Sequence, residues 1–148
     1  MTATMLKQNP TSQSRDHRGF TLIEVVVAMA VLAILLTLAY PAYVNQAIKA
    51  RRADGHALLY EAAQRQQQQF TENNAFTATV GSGGLDMNAG SQEGYYTLSI
   101  DRPSTTTYTL TATAVAPQTG DTSCGNLTLT DLNIKGCTAT GCDVDRCW

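Results

Sequence analysis

One uninterrupted apolar run dominates the hydrophobic pattern of the chain. It extends from Phe20 to Tyr40, "FTLIEVVVAMAVLAILLTLAY", and its only charged residue is Glu24. A helix of these 21 residues would be about 31 Å long, close to the roughly 30 Å hydrocarbon core of a bilayer. The run therefore predicts a transmembrane helix over residues 20–40 that carries one unexplained carboxylate.

Polar residues precede this helix. Residues 1–19 show no apolar period and end in "RDHRG", a basic cluster directly before Phe20. The positive-inside rule places this end in the cytoplasm, although Lys49, Arg51 and Arg52 lie on the far side, about ten residues beyond the run. A secretory signal peptide is the alternative. Its apolar core is usually about 7–15 residues, so the greater length favours an uncleaved anchor.

Helical character continues after the apolar run. The segment 44–70 is rich in helix-favouring Ala, Gln and Leu, and Gly55 weakens it locally. Its apolar positions form a stripe typical of an amphipathic helix: Val44, Ile48, Leu58, Leu59, Ala62 and Phe70. Pro41 is predicted to kink the helix, because proline removes a backbone hydrogen bond and clashes with the preceding turn. We expect one helix of about 50 residues that ends near residue 72.

Strand patterns occupy the second half of the chain. A loop rich in Gly, Ser and Asn covers residues 73–94, and alternating apolar and polar positions follow over residues 95–132. Short connections such as "DRPSTT" indicate antiparallel hairpins. The expected fold class is α+β, with the helix packed on a three- or four-stranded antiparallel sheet in one domain over residues 41–148.

All four cysteines lie in the tail, residues 124–148. An even number of cysteines behind a membrane segment favours disulfides in an oxidising compartment, and the absence of a CxxC pair disfavours a zinc site. Three pairings are open. A Cys124–Cys147 bond would attach the chain end to the sheet and leave Cys137 with Cys142, and this pairing is preferred.

The net charge of the chain does not favour nucleic-acid binding. Residues 20–148 contain seven Lys or Arg against eleven Asp or Glu, a net charge of −4. DNA contacts would have to come from a local patch, for which Arg102, Lys135 and Arg146 are the candidates. The sequence shows no paired nucleophile and base, so no catalytic residues, cofactor or metal are predicted.

The stretch "RGFTLIEVV", Arg18 to Val26, resembles the N-terminal signature of type IV pilins. The resemblance implies cleavage by a prepilin peptidase between Gly19 and Phe20, N-methylation of Phe20, and a leader of residues 1–19. A start at Met5 would shorten that leader. It also implies that Pro41 is the helix-bending proline of the type IVa class, and that the whole chain has the pilin fold. The strands and the terminal "CW" are most similar to minor pilins of the PilE and ComP kind, and the Cys137/Cys142 pair is a departure.

Within this resemblance, Glu24 becomes an assembly residue. Inside a filament core of packed apolar helices a carboxylate needs a countercharge, and the new amine of Phe20 on a neighbouring subunit can supply it. Glu24 lies near the cytoplasmic end of the membrane helix. The free-energy cost of placing its carboxylate there is below the roughly 2.5–3.5 kcal/mol of an acid at the centre of the bilayer.

The expected function is a structural, minor subunit of a type IV pilus, not an enzyme. Its partners would be other pilin subunits, the prepilin peptidase and the inner-membrane assembly platform. The chain would first span the inner membrane and then join the extracellular pilus, which supports adhesion, twitching motility or DNA uptake. One alternative is a DNA-binding minor pilin that acts as a DNA-uptake receptor. A second is a type II secretion pseudopilin, with calcium near Asp143 and Asp145.

Overall fold

The chain forms two compact units, Met1–Ala39 and Tyr40–Trp148. A computed structural model describes residues 20–148, so the predicted leader lies outside the described residues.

The described part of the first unit is apolar helix with no buried residue. Helix α1 (Leu22–Asn73) begins here, and the hydroxyl of Thr21 accepts a hydrogen bond from the backbone N–H of Glu24 at 3.3 Å, as an N-cap does. Every side chain from residue 20 to residue 39 is exposed. The helix is long and apolar enough to cross a membrane.

In the second unit, the remainder of α1 buries one face. The buried residues recur at helical spacing: Arg52, Gly55, Leu58, Leu59, Ala62 and Gln66. The apolar members were predicted from the stripe, but Arg52 and Gln66 were not. Their polar side chains are buried with hydrogen-bonding partners, which removes most of the cost of burial.

A four-stranded antiparallel sheet in the order β1-β2-β3-β4 packs on this face. The strands are β1 (Tyr96–Ser104), β2 (Thr107–Ala114), β3 (Leu127–Thr130) and β4 (Lys135–Cys137). Alternate residues of the first three strands are buried, in agreement with the predicted α+β class: Tyr96, Leu98, Tyr108, Leu110, Ala112, Leu127 and Leu129. The pairing of β1 with β2 is irregular between Asp101 and Ser104, around Pro103.

Helix and sheet approach each other closely at Gly55. A Cβ built on it would lie 3.0 Å from the Tyr96 ring and 3.1 Å from Leu127. The glycine that weakens the helix in isolation therefore permits its contact with the sheet.

The loop between α1 and β1 is held by polar side chains of the helix. The Gln66 amide donates to the carbonyl of Thr77 at 2.7 Å and accepts from the Thr77 N–H at 2.9 Å. Arg65 donates to the carbonyls of Leu85 and Asp86. Asp54 accepts from the Ser91 hydroxyl and from two backbone N–H groups near the start of β1.

The sheet extends beyond its predicted end at residue 132, because β4 continues it to Cys137. Three residues, one of them glycine, are too few to show an alternating pattern, so the strand was missed. The tail ends in the four-residue helix α2 (Val144–Cys147), whose N-cap Asp143 accepts from the N–H of Asp145.

Candidate functional site

The predicted assembly contact lies at the start of α1. Phe20 is 82% exposed, and Glu24 is exposed one helical turn later. No residue in the described range 20–148 forms an ion pair with Glu24. The carboxylate therefore lies in the otherwise apolar first part of α1, residues 22–40, and residues 20–148 supply no countercharge for it.

The cleavage site and the helix-bending proline were also predicted from the sequence. Gly19 lies outside the described residues, so the cleavage site stays a prediction. Pro41 lies inside α1. The predicted kink at this proline also stays a prediction.

The tail contains two disulfides. Cys124 pairs with Cys147 and Cys137 with Cys142, which is the pairing that the cysteine positions favoured. The first bond closes a separation of 23 residues and is buried at both ends, whereas the second closes a separation of five. The long bond thus attaches the end of the chain to the segment that leads into β3.

The C-terminal Trp148 packs against α1 and β4. Its ring stacks on His56 at 4.7 Å between centroids, and Tyr60 meets it edge-on at 5.9 Å. The indole N–H donates to the carbonyl of Gly136 at 2.9 Å, and the Lys135 ammonium lies 5.2 Å from the ring centroid. These contacts order a tail whose own apolar content is low.

His56 is held under this tail. Its Nε2 donates to the carbonyl of Cys147 at 2.9 Å. Burial lowers the pKa of His56 below its ordinary value, and the nearby cations Lys135 and Arg52 act in the same direction. The imidazole is therefore disposed to be neutral in the folded chain at neutral pH.

A buried ion pair lies beneath the other end of the tail. The Arg52 guanidinium binds Asp121 in bidentate fashion, Nε to Oδ2 at 2.6 Å and Nη2 to Oδ1 at 2.9 Å. Its Nη1 donates to the carbonyl of Arg146 at 3.0 Å, and hydrogen bonding to Asp121 raises the pKa of Arg52. The sequence-based prediction considered Arg52 only as one of the basic residues beyond the apolar run. The available signal was its spacing of seven residues from Leu59, which puts both on one helix face.

Two other basic side chains, Lys49 and Arg146, line a surface cavity of about 460 Å³ between α1 and the tail. Its lining also includes Arg52, the acidic Asp143 and three hydroxyl-bearing residues: Thr122, Ser123 and Thr140. Within residues 20–148 neither Lys49 nor Arg146 forms an ion pair. Cations with free donors beside hydroxyl groups can bind phosphate.

The structure places the three predicted DNA contacts on three different elements. Lys135 lies on β4 with its ammonium over the Trp148 ring, and Arg146 lies on α2 beside Lys49. Arg102 lies on β1 at the opposite edge of the sheet, three strand spacings or about 14 Å from β4. Arg102 therefore does not share a patch with Lys135.

Over residues 20–148 the structure contains no group of three or more His, Cys, Asp or Glu side chains that could hold a metal ion. Of the two residues considered for calcium, Asp143 caps α2 by accepting a hydrogen bond from the backbone N–H of Asp145 at 3.1 Å.

Comparisons with known proteins agree with this architecture. A family model described as "Type IV minor pilin ComP, DNA uptake sequence receptor" matches residues 41–128. A second model, "Prokaryotic N-terminal methylation motif", matches residues 14–40. The two matches meet at the boundary between the apolar helix and the rest of the chain.

Comparison with curated proteins finds no match. Among solved structures, the chain is similar to a type IV pilin from Shewanella oneidensis, with 21% identity over 63% of this chain and 99% of that chain and a TM-score of 0.45. The minor pilin model covers 88 of the 148 residues, more than half of the chain. The predicted α+β architecture and the resemblance to type IV pilins are confirmed: the chain belongs to the ComP family of type IV minor pilins.

Proposed function

We propose that this minor pilin is cut between Gly19 and Phe20, N-methylated on Phe20, and then built into a type IV pilus through residues 20–40. The observation that carries the proposal is the apolar start of α1, which exposes every side chain and contains one unpaired carboxylate. Such a surface is unstable in water and needs lipid or other apolar helices around it. A membrane before assembly and a bundle of pilin helices afterwards supply these surroundings in turn.

Glu24 would determine how the subunit enters the bundle. A carboxylate among packed apolar helices costs several kcal/mol unless it is paired. The amine of a processed Phe20 on a neighbouring subunit provides the countercharge, and it exists only after cleavage. The pair would fix the axial position of the incoming subunit and admit processed chains only.

Processing and assembly of this kind require two further partners, a peptidase and an assembly platform. The N-terminal methylation motif supports processing by a prepilin peptidase, and extraction from the inner membrane requires an assembly platform. The N-terminus would face the cytoplasm and Tyr40–Trp148 the periplasm, an oxidising compartment in which two disulfides can form.

The test is incorporation of Glu24→Gln into pili, measured as the fraction of the subunit that appears in sheared filaments. The variant should be processed and membrane-bound but incorporated at least about tenfold less, a loss of roughly 1.4 kcal/mol or more. Thr37→Val is the matched control, because it removes a polar group from the same helix without a charge. Equal incorporation of Glu24→Gln and the control would refute the assembly role of Glu24.

A second candidate function is DNA uptake, with this chain as the receptor. Its support is the description of the family and three cations that form no ion pair within residues 20–148: Lys49 on α1, and Lys135 and Arg146 on the tail. Such cations release counterions when they meet phosphates, and this can offset an overall charge of −4. The unit Tyr40–Trp148 would then bind duplex DNA along the tail, residues 124–148.

Salt dependence tests this function. Binding of the mature chain to duplex DNA should weaken steeply with salt. Lys49→Ala and Arg146→Ala should each reduce the slope of log K against log salt by about one. Arg102→Ala, at the opposite edge of the sheet, is the control and should leave the slope unchanged. Affinity that does not vary with salt would rule out the receptor function.

A further inference from the structure

A cleft of about 310 Å³ opens between α1 and the turn that joins β3 to β4. One face of the helix forms its first wall, because Tyr60, Gln64 and Gln67 follow each other at spacings of four and three residues. Asp131 and Asn133 of the turn form the opposite wall. The volume lies at the lower end of the roughly 300–1,000 Å³ of small-molecule sites, so the cleft suits a ligand of about one sugar ring.

We propose that this cleft binds a neutral pyranose sugar, and that the subunit thereby attaches to glycans. A pyranose presents an apolar face of C–H groups and a rim of hydroxyl groups. It therefore needs an aromatic ring against its face and side chains around its edge that both donate and accept hydrogen bonds. The proposal is independent of the DNA-uptake function.

The polar side chains of the two walls are available to a ligand. Within residues 20–148 the side chains of Gln64, Asp131 and Asn133 form no hydrogen bond, and Asp131 forms no ion pair. The two amides donate and accept, and the carboxylate accepts, so together they match hydroxyl groups, which do both. Polar groups that converge on a cleft in this way are typical of a binding site.

Aromatic and apolar side chains complete the cleft. Tyr108 and Leu129, both buried, line it from the sheet. Tyr60 is 39% exposed, and its ring is held by two contacts: Trp148 meets it edge-on at 5.9 Å between centroids, and the Lys135 ammonium lies 5.9 Å from its centroid. A ring that is already ordered loses little conformational entropy when a sugar packs on it.

The wall formed by the turn is rigid. Thr130 holds it through three hydrogen bonds: its carbonyl accepts from the N–H of Asn133 at 2.9 Å, its N–H donates to the carbonyl of Ile134 at 3.1 Å, and its hydroxyl accepts from the N–H of Ile134 at 3.2 Å. The N–H of Asp131 donates to the carbonyl of Tyr108 at 3.1 Å. The side chains of Asp131 and Asn133 therefore project from a fixed backbone.

Charge selects a neutral ligand. None of the nine residues that line the cleft is Lys or Arg, in contrast to the cavity beside Lys49 and Arg146, and Asp131 is the one acid among them. The carboxylate repels phosphates, sulfates and acidic sugars, and the Lys135 ammonium beside the Tyr60 ring repels a cationic ligand. An uncharged sugar meets neither repulsion.

Saturation-transfer NMR tests the proposal, with the mature full-length chain in a detergent that has no sugar headgroup. At least one of glucose, galactose and N-acetylglucosamine should bind, with a Kd on the order of 1 mM, and glucuronic acid should not. Gln64→Ala/Asn133→Gly should weaken this binding about tenfold or more. Both replaced side chains are exposed, and glycine tolerates the φ of 59° at position 133, so the melting temperature should not change.

Gln68→Ala is the matched control. This glutamine lies one helical turn after Gln64, outside the cleft, and donates to Glu72 at 3.1 Å. The control should bind the sugar as the wild type does. The proposal is overturned if no neutral sugar binds, or if Gln68→Ala weakens binding as much as the double variant.

A third variant tests the selection by charge. Asp131→Asn keeps the size of the side chain and a hydrogen-bonding group, so it should still bind the neutral sugar, and it should also admit glucuronic acid because the repulsion is gone. Continued exclusion of glucuronic acid by this variant would contradict the role of Asp131. Binding of choline by the wild type in place of neutral sugars would make the cleft a cation site and overturn the proposal.

Discussion

Arg52 carries its charge into the interior of Tyr40–Trp148, where it meets a carboxylate 69 residues away along the chain. Both side chains are almost fully buried, and Asp121 also accepts from the N–H of Cys124 at 3.2 Å. The pair therefore ties three elements together: α1, the loop before β3, and the tail through the carbonyl of Arg146. Breaking such a pair leaves an uncompensated buried charge.

Asp121→Asn should lower the free energy of unfolding by about 3 kcal/mol or more, because it strands the Arg52 guanidinium in the core. Urea denaturation measures this effect. Glu61→Gln is the matched control, since Glu61 pairs with Arg65 in an exposed ion pair that contributes below about 1 kcal/mol. The role assigned to Asp121 would be wrong if both variants lost equally little stability.

His56 leads to a second prediction for a single residue, which concerns the pH dependence of stability. Because burial lowers its pKa in the folded chain, the unfolded chain binds a proton at pH values where the folded chain does not. Stability should therefore be full above about pH 6.5 and fall as the pH decreases through the ordinary histidine value. Protonation would favour release of the Trp148 stack.

Thermal melts of the mature chain between pH 7.5 and 5.5 test this, since residues 20–148 contain no other histidine. His56→Phe keeps an aromatic ring under Trp148 and should abolish the decline over this range. A variant that declines as steeply as the wild type would assign the pH dependence to another group.

At the scale of elements, period-two alternation predicted β1, β2 and β3, because each strand buries one face. The alternation did not predict β4, whose three residues are held by their pairing with β3, by the Cys137–Cys142 disulfide and by the Trp148 contact with Gly136. The hydrophobic pattern also did not predict which polar residues are buried. Gln66 and Gln118 belong to a type that is usually exposed, and their partners lie in other segments that the sequence does not mark.

The two disulfides should differ in what they contribute. On the chain-entropy model the Cys124–Cys147 bond stabilises by about 3 kcal/mol and the shorter Cys137–Cys142 bond by about 2 kcal/mol. The double variant Cys124→Ser/Cys147→Ser should therefore lose more stability in urea denaturation, and more still because its buried sulfurs become hydroxyls. The matched comparison is Cys137→Ser/Cys142→Ser. A reversed order would show that the short loop, not the long one, holds the tail.

At the scale of the whole molecule, the two units differ in how much apolar surface they bury. Tyr40–Trp148 buries its own core and covers it with a disulfide-bonded tail. The described part of the first unit buries nothing and exposes an apolar helix with one acid. The apolar run was predictable from composition alone, whereas its role depends on the processing motif that precedes and overlaps it. A carboxylate in such a helix is explained most simply by a countercharge that a second subunit brings.

The most direct test of this account is the intact mass of the subunit recovered from sheared pili. We expect the mass of residues 20–148 with one added methyl group, less the hydrogens lost in two disulfides. A subunit that still carries residues 1–19, in pili of normal yield, would contradict the claim that cleavage creates the amine that Glu24 needs.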